Sequence, residues 1–455
     1  MSIDRPPLPS RALSRRAVLA AGAGLAVAPF DSMAALGQGA EVDVVIIGAG
    51  AAGIAAARRI AEAGRSYALV EASGRVGGRA VTDLTRFGVP FDLGASRLHQ
   101  PAAAPLAALM SAAGSQLAPA PSGARLYLHG REASDTEYED FVSTVRRTER
   151  PIIAAGDVGR DVAAARVVDV DGRFAASARF VVGPYTCARD LDQVSTVDFS
   201  RAEEREGALV TPLGIGAALA RLAVPLTVRL ETIVRSVELD SRPVTVRTSR
   251  GTLQGRFVIL AVPPSVITAG LLRVTPGLPV RYRTALERIP LGAYDHLAFE
   301  LPANPLGLRP DETVHFQSDG TRAFALVARI GGSDLHTLEV GGSFARELAD
   351  APPEAARAFI GEALTREFGA DAARKVGRWH ATRWTKEPYA LGAFSCAQPG
   401  AGNLRRAFTE VVAGRLLFAG EHAHETLWGT LTGAWLSGER AARQALTGLS
   451  GGRTG

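Results

Sequence analysis

Lysine is nearly missing from this chain: of 51 Lys plus Arg residues, only Lys375 and Lys386 are lysines. Genomic base composition accounts for such an arginine excess, and outside the first residues the arginines form no dense cluster, which argues against nucleic acid as a partner. Cysteine is equally scarce. Cys187 and Cys396 are the only two; they make no disulfide framework, and although an oxidising compartment would let them pair, the expectation is two free, mostly buried thiols. Charged residues are 21% and hydrophobic residues 47% of 455, the balance of an ordinary globular protein. That length exceeds what one core organises, so two domains are expected.

The apolar stretch at 17–30 is too short to anchor a chain across a bilayer. It follows Ser14-Arg15-Arg16, a twin-arginine pattern, and precedes a small-residue site at Ser32-Met33-Ala34. Residues 1–34 therefore read as a signal for the twin-arginine export machinery, which carries folded proteins. The mature protein would be periplasmic or secreted, with no stable membrane anchor after cleavage. Its oligomeric state is left open, a homodimer included. Losing four arginines and two aspartates would lower the formal charge from +5 to +3.

What the chain has in abundance is glycine, 49 residues, and at 42–79 the glycines are ordered. A β-branched run at 42–47 reads as a buried parallel strand. It leads into Gly48-Ala-Gly50-x-x-Gly53: the first glycine for the tight turn, the second for close approach of a diphosphate, the third for helix–strand packing. The helix opening at Ala51 aims its N–H groups at the phosphates. A second strand at 67–70 ends in Glu71, placed to accept hydrogen bonds from an adenosine ribose. The segment 74–79, with Gly78 and Arg79, adds a second diphosphate contact of the kind a long FAD molecule needs. Gly94, Ala95, Ser96 and Arg97 then combine small side chains with backbone freedom, fit for a chain passing a flat ring. No Ser-His-Asp or metal-ligand grouping is needed, and His99, His422 and His424 read as pocket or surface residues rather than metal ligands.

Residues 101–204 lose strand character, with helices predicted at 102–113 and 137–150. A β-meander is predicted at 226–230, 233–239 and 244–248, then a buried strand from 257 stopped by Pro263 and Pro264. At the C-terminal end, a strand ends at Gly420-Glu421 and a helix runs over 431–446.

These stretches together resemble the flavin-containing amine oxidase family of monoamine and polyamine oxidases: 42–82, 92–99, 258–264, 289–299, 383–395 and 416–446. The resemblance implies an α/β fold of two domains, a Rossmann-type FAD domain from 41–100, 205–270 and 391–449, with an inserted α+β substrate domain from 101–204 and 271–390. Carried over by position, Gly48, Gly50, Gly53, Glu71, Gly78 and Arg79 would hold the adenosine and diphosphate, and Val234 would meet the adenine. Gly420 and Glu421 would serve the ribityl and diphosphate region, and Leu431 would donate its N–H to the ring. Gly94 to Arg97 would line the flavin face, with Trp384 beside the ring and Phe394 as one aromatic wall of the substrate site.

Three departures stand out. Ala393 occupies the position where covalent members carry cysteine, so FAD would be held non-covalently. Thr430 stands where monoamine oxidases have a second aromatic, leaving the aromatic cage half built. His296 stands where the family has a lysine that holds a water near the flavin. A lysine there carries a permanent charge; histidine has an unperturbed pKa of about 6.5.

The expected activity is oxidation of an amine C–N bond, a hydride passing to flavin N5, the imine hydrolysing, and oxygen or another acceptor taking the electrons. An FAD dehydrogenase or desaturase of a non-amine substrate, and a non-catalytic exported scaffold, are the alternatives.

Overall fold

The computed structural model describes residues 41–99, 105–121, 123–203 and 207–451; the leader read at 1–34 lies outside them. Strand Glu41–Ile47 is buried along its second half and pairs in parallel with Tyr67–Val70 on one side and Gly251–Leu260 on the other. The long strand Gly251–Leu260 has two partners on its far edge. Its first half runs antiparallel to Val244–Thr248, its second half parallel to Leu416–Phe418. Val228–Arg229 closes one edge of this eight-stranded sheet, and the meander Val234–Glu238 and Val244–Thr248 extends the other.

The expected change of domain at 271 falls later, because Arg273–Thr275 adds in parallel to Val234–Glu238 and so belongs to the first sheet. A three-residue strand flanked by prolines and glycine has too little alternation to be read from sequence.

Helices Ala51–Glu62 and Leu431–Gly451 lie together on this sheet, and small residues let them meet. A Cβ on Gly438 would stand 2.1 Å from the carbonyl oxygen of Ala52, and one on Gly53 would stand 1.8 Å from that of Gly48. Gly48 itself has φ +101°, which an L side chain rarely adopts.

The second sheet has seven strands in the order Trp379–Ala381, Tyr294–Glu300, Leu335–Gly341, Ala325–Ala328, Glu312–Phe316, Ala124–Leu128 and Arg131–Glu132. Its own core gathers Phe299, Phe316, Phe324, Phe344 and Phe359 with helix Glu354–Phe368. The segment 101–204 thus does contribute strands: Ala124–Leu128 pairs in parallel with Glu312–Phe316. Its longest element is helix Asp135–Asp157, opened by a capping box of Ser134 and Glu137. Among the described residues no helix is long and apolar enough to cross a membrane.

Candidate active site

One cavity of about 1160 Å³ runs between the two sheets, larger than the few hundred to ~1,000 Å³ that a single drug-sized ligand occupies. At one end Glu71 is fixed by its neighbours. Its Oε2 accepts the Ala49 N–H (2.8 Å) and its Oε1 accepts both the N–H and the hydroxyl of Ser73 (2.9 and 2.8 Å). A carboxylate has about four acceptor sites, so capacity remains for a ribose. Val234 lines the same end.

Next come the glycines. The N–H of Gly77 donates to Ala49 O (2.8 Å), which seats the second glycine loop against the first. A Cβ added to Gly50 would find nothing closer than 3.9 Å, so the space beside it is open to a ligand. Helix Ala51–Glu62 has no capping side chain and no acid in its first turn, leaving its N–H groups and positive dipole end for an anion. These features fit a dinucleotide diphosphate at this point.

Arg79 and Glu421 form the middle wall. Arg79 Nη1 donates to Glu421 Oε1 (2.8 Å) and to Ala393 O (2.5 Å). Glu421 also accepts from the Ser395 N–H (3.1 Å) and hydroxyl (2.6 Å) and from the Gly429 N–H (2.8 Å). Burial pushes its carboxyl up, but Arg79 first, with Ser395 and Arg405, pulls it down to about 2. Gly420, with φ +140°, and the N-terminal residue of helix Leu431–Gly451 complete this wall.

Behind Ser395 stands a buried ion pair. Arg405, 1% exposed, donates to both oxygens of Asp198 (2.6 and 2.8 Å), to Ser395 Oγ (2.9 Å) and to His422 O (3.1 Å), and its guanidinium lies 5.0 Å from the Trp428 ring. Asp198 belongs to helix Thr196–Ser200, in the segment 101–204 whose sequence loses strand character.

At the far end lie the aromatic residues. Trp384 donates its backbone N–H to Asp295 Oδ1 and its Nε1–H to Leu93 O, each at 2.9 Å. Burial pushes the Asp295 carboxyl up to about 7. Gly94 backs onto Trp384: a Cβ there would be 2.9 Å from the indole and 2.0 Å from Arg79 O. Phe394 has Tyr294 beside it, ring centroids 5.7 Å apart, so the aromatic wall is extended by a residue the sequence reading passed over. Thr430 lines the cavity, yet its hydroxyl is committed elsewhere. It donates to Leu427 O (2.6 Å) and accepts the Gly433 N–H (2.9 Å), capping the C-terminal helix.

His296 sits on Tyr294–Glu300, 7% exposed and facing the cavity. Its Nδ1 meets Asp92 O at 3.2 Å, and since a carbonyl only accepts, that nitrogen carries a proton. Its Nε2 is 3.9 Å from Glu339 Oε1 across the strand pair. Glu339 also accepts the Tyr294 hydroxyl (2.8 Å) and faces that of Tyr185; burial pushes both phenols up, so they stay protonated donors. Glu339, Tyr185, Asp198 and Arg405 escaped sequence reading. Only Glu339 left a signal, an acid inside the wholly buried strand Leu335–Gly341.

Among the described residues no three His, Cys, Asp or Glu side chains gather as a metal site. His422 packs on Phe408, and His424 Nδ1 accepts backbone N–H groups of Thr426 and Leu427. Cys187 and Cys396 are free, buried side by side.

The family described as flavin containing amine oxidoreductase matches residues 51–152 and 159–446. The chain belongs to that family, whose cofactor is a flavin. It is 25% identical over 450 residues to the protein FLOWERING LOCUS D of Arabidopsis thaliana, covering 92% of this chain and 57% of that one. With lysine-specific histone demethylase 2 of Homo sapiens it shares 23% over 433 residues, covering 88% and 53%. The chain thus spans about half the length of these curated relatives. Polyamine oxidase 4 of Oryza sativa subsp. japonica is matched at 25% over 449 residues, covering 88% and 87%. The fold is shared with cyclohexylamine oxidase from Brevibacterium oxydans IH-35A (TM-score 0.77, 23% identity, 90% of this chain and 100% of that one). It is shared too with wild-type putrescine oxidase bound to putrescine (TM-score 0.76, 20%, 90% and 99%).

Two outcomes follow from the middle wall. Arg405→Met strands the Asp198 carboxylate without its countercharge and lowers the unfolding free energy by about 3–5 kcal/mol, read by urea melts; Asp198→Leu added to it recovers most of the loss. The Glu421 carboxyl is depressed below its ordinary 4.5, so its stabilisation is complete above that pH and is lost as pH falls toward 2. Wild type accordingly loses on the order of 3 kcal/mol between pH 5 and 2 that Glu421→Gln does not lose.

Proposed function

We propose that the protein oxidises the C–N bond of a small amine with non-covalently held FAD, and that it works outside the cytoplasm after twin-arginine export. One observation carries the reading. The cavity that starts at the glycine cradle and Glu71 ends, without interruption, at Trp384, Phe394, Tyr294 and His296. The cofactor's anchoring half and a reaction chamber are thereby joined in one space.

Glu71 and Val234 would hold the adenosine, the N-terminus of helix Ala51–Glu62 with Gly50 and Gly78 the diphosphate, and the Leu431 end of the last helix the ring. Bound there, the flavin supplies a two-electron acceptor for the amine carbon. Ala393 lines the cavity and neither cysteine does, which supports a non-covalent cofactor. Phe394 and Tyr294 strip water from the incoming amine and so favour its neutral, reactive form. His296 keeps its Nδ1 proton on Asp92 O and offers Nε2 to the chamber, where a water can be held. Product imine is hydrolysed by water, and dioxygen or another acceptor takes the electrons. Export rests on the Arg15-Arg16 motif with the apolar stretch behind it.

Mixing the purified holoprotein without air with a panel of amines, amino acids included, bleaches its oxidised-flavin band with at least one of them; no bleaching with any would turn the reading to a desaturase of a non-amine substrate. Placing a fixed cation at 296, His296→Lys, raises the rate at which oxygen reoxidises the reduced enzyme. An unchanged rate with substrate reduction intact would remove His296 from that role.

A further inference from the structure

Arg97 leaves the small-residue turn after Asp92 and reaches across to the second sheet. Its Nη2 donates to Thr313 Oγ1 (3.3 Å) on strand Glu312–Phe316, while the residue lines the cavity. Its guanidinium therefore stands in the chamber half, not against the diphosphate wall. Tyr185, Tyr294 and His315 all feel its charge.

Among the described residues no counterion accompanies it: no carboxylate forms an ion pair with Arg97 within 4.0 Å, and its one hydrogen bond is the long one to Thr313. Glu339 takes the Tyr294 hydroxyl and faces that of Tyr185. His315 is buried, with its Nδ1 unpartnered, and burial holds it at about 4, so it stays neutral and adds no charge of its own. Once the cofactor and substrate exclude water, a guanidinium without an anion becomes expensive. Its planar fork matches a carboxylate in bidentate fashion.

Arg97 lines the same cavity as Tyr294, His296 and Trp384, so an anion it holds stands in the chamber that a substrate would enter. We propose that the substrate is an α-amino acid whose carboxylate is taken by Arg97. The inference rests on the reading of this chamber as one that oxidises a C–N bond. The α-carbon loses a hydride and the nitrogen a proton, the electron pair passes to the family's flavin, and water adds to the imine to release a 2-oxo acid and ammonium. Diamines are disfavoured by the same charge, since a second ammonium meets Arg97. Amines without the carboxylate leave it desolvated and unpaired.

The test compares matched pairs on the holoenzyme: phenylalanine with phenethylamine, leucine with isoamylamine, ornithine with putrescine. At least one amino acid reduces the flavin with a kcat/KM about 100-fold or more above its decarboxylated partner, the scale expected when a site's buried charged group is left unpaired. Arg97→Met collapses that ratio, and Arg97→Lys, which keeps charge but loses the fork, gives an intermediate ratio. As a readout apart from turnover, benzoate perturbs the flavin spectrum of wild type and fails to do so in Arg97→Met. Faster reduction by the decarboxylated amines, or a ratio untouched by Arg97→Met, overturns the inference alone. Reduction by neither member of any pair, nor by any amine of the wider panel, overturns the C–N reading beneath it.

Discussion

The buried pair of Arg405 and Asp198 is the constraint on which the site depends. Both side chains are about 1% exposed and their partners lie 207 residues apart in sequence. Two charges removed from water are stable only if almost every donor and acceptor is used, and here the use is near complete. Asp198 takes both forks of Arg405 and the Ala397 N–H (2.8 Å). Arg405 passes on to Ser395, Ser395 to Glu421, and Glu421 to Arg79. Arg79 returns to the carbonyl of Ala393, one residue before Phe394. The aromatic wall is thus held from behind by one chain of charges tying the helix Thr196–Ser200 to the glycine loop, and a polar chain of this kind is stable as a whole or not at all.

What could be read from the sequence follows from how far apart the interacting residues are. The strand, turn and helix at Gly48 to Gly53 are local, so spacing alone specified them, and the added-Cβ distances at Gly48 and Gly53 agree with the reasons given for those glycines. The helices at 137–150 and 431–446 were legible from periodicity and proved longer, as Asp135–Asp157 and Leu431–Gly451. Ends are set by caps and tertiary packing, which periodicity does not report. Strand Ala124–Leu128 was missed because it lies between turns and draws its stability from a parallel partner nearly two hundred residues away. Asp198 and Arg405 carry no local signal at all: each looks like a surface charge until the other is beside it.

Two residues show how one position serves fold and site together. Thr430 caps the last helix with its hydroxyl, so only the rest of its side chain is available to the chamber. Asp92 does the same from a distance. Its carboxylate accepts the Ile215 and Gly216 N–H groups (2.9 and 3.1 Å), capping helix Ile215–Ala223, while its carbonyl fixes the His296 ring. Burial pushes that carboxyl up, against the hydrogen bond from Thr82 and the helix N–H groups that favour its charged form. The tautomer of His296 is therefore tied, through Asp92, to the packing of helix Ile215–Ala223.

The chamber's charge is also arranged differently from what a lysine at 296 would give. Histidine there leaves Arg97 as a fixed cation on the chamber side, and Arg97 and His296 both lie by the cluster around Glu339, one beside the tyrosines and one across the strand pair. A guanidinium cannot give up its proton and cannot be hidden without an anion. Glu339, which takes the Tyr294 hydroxyl and faces that of Tyr185, makes no ion pair with Arg97 within 4.0 Å. The positive charge that the resemblance would put at 296 is absent, and a guanidinium lines the chamber from the Gly94 to Arg97 turn instead. In a chain with almost no lysine, the residue proposed to select what the site accepts is an arginine that the sequence reading had placed only along the flavin face.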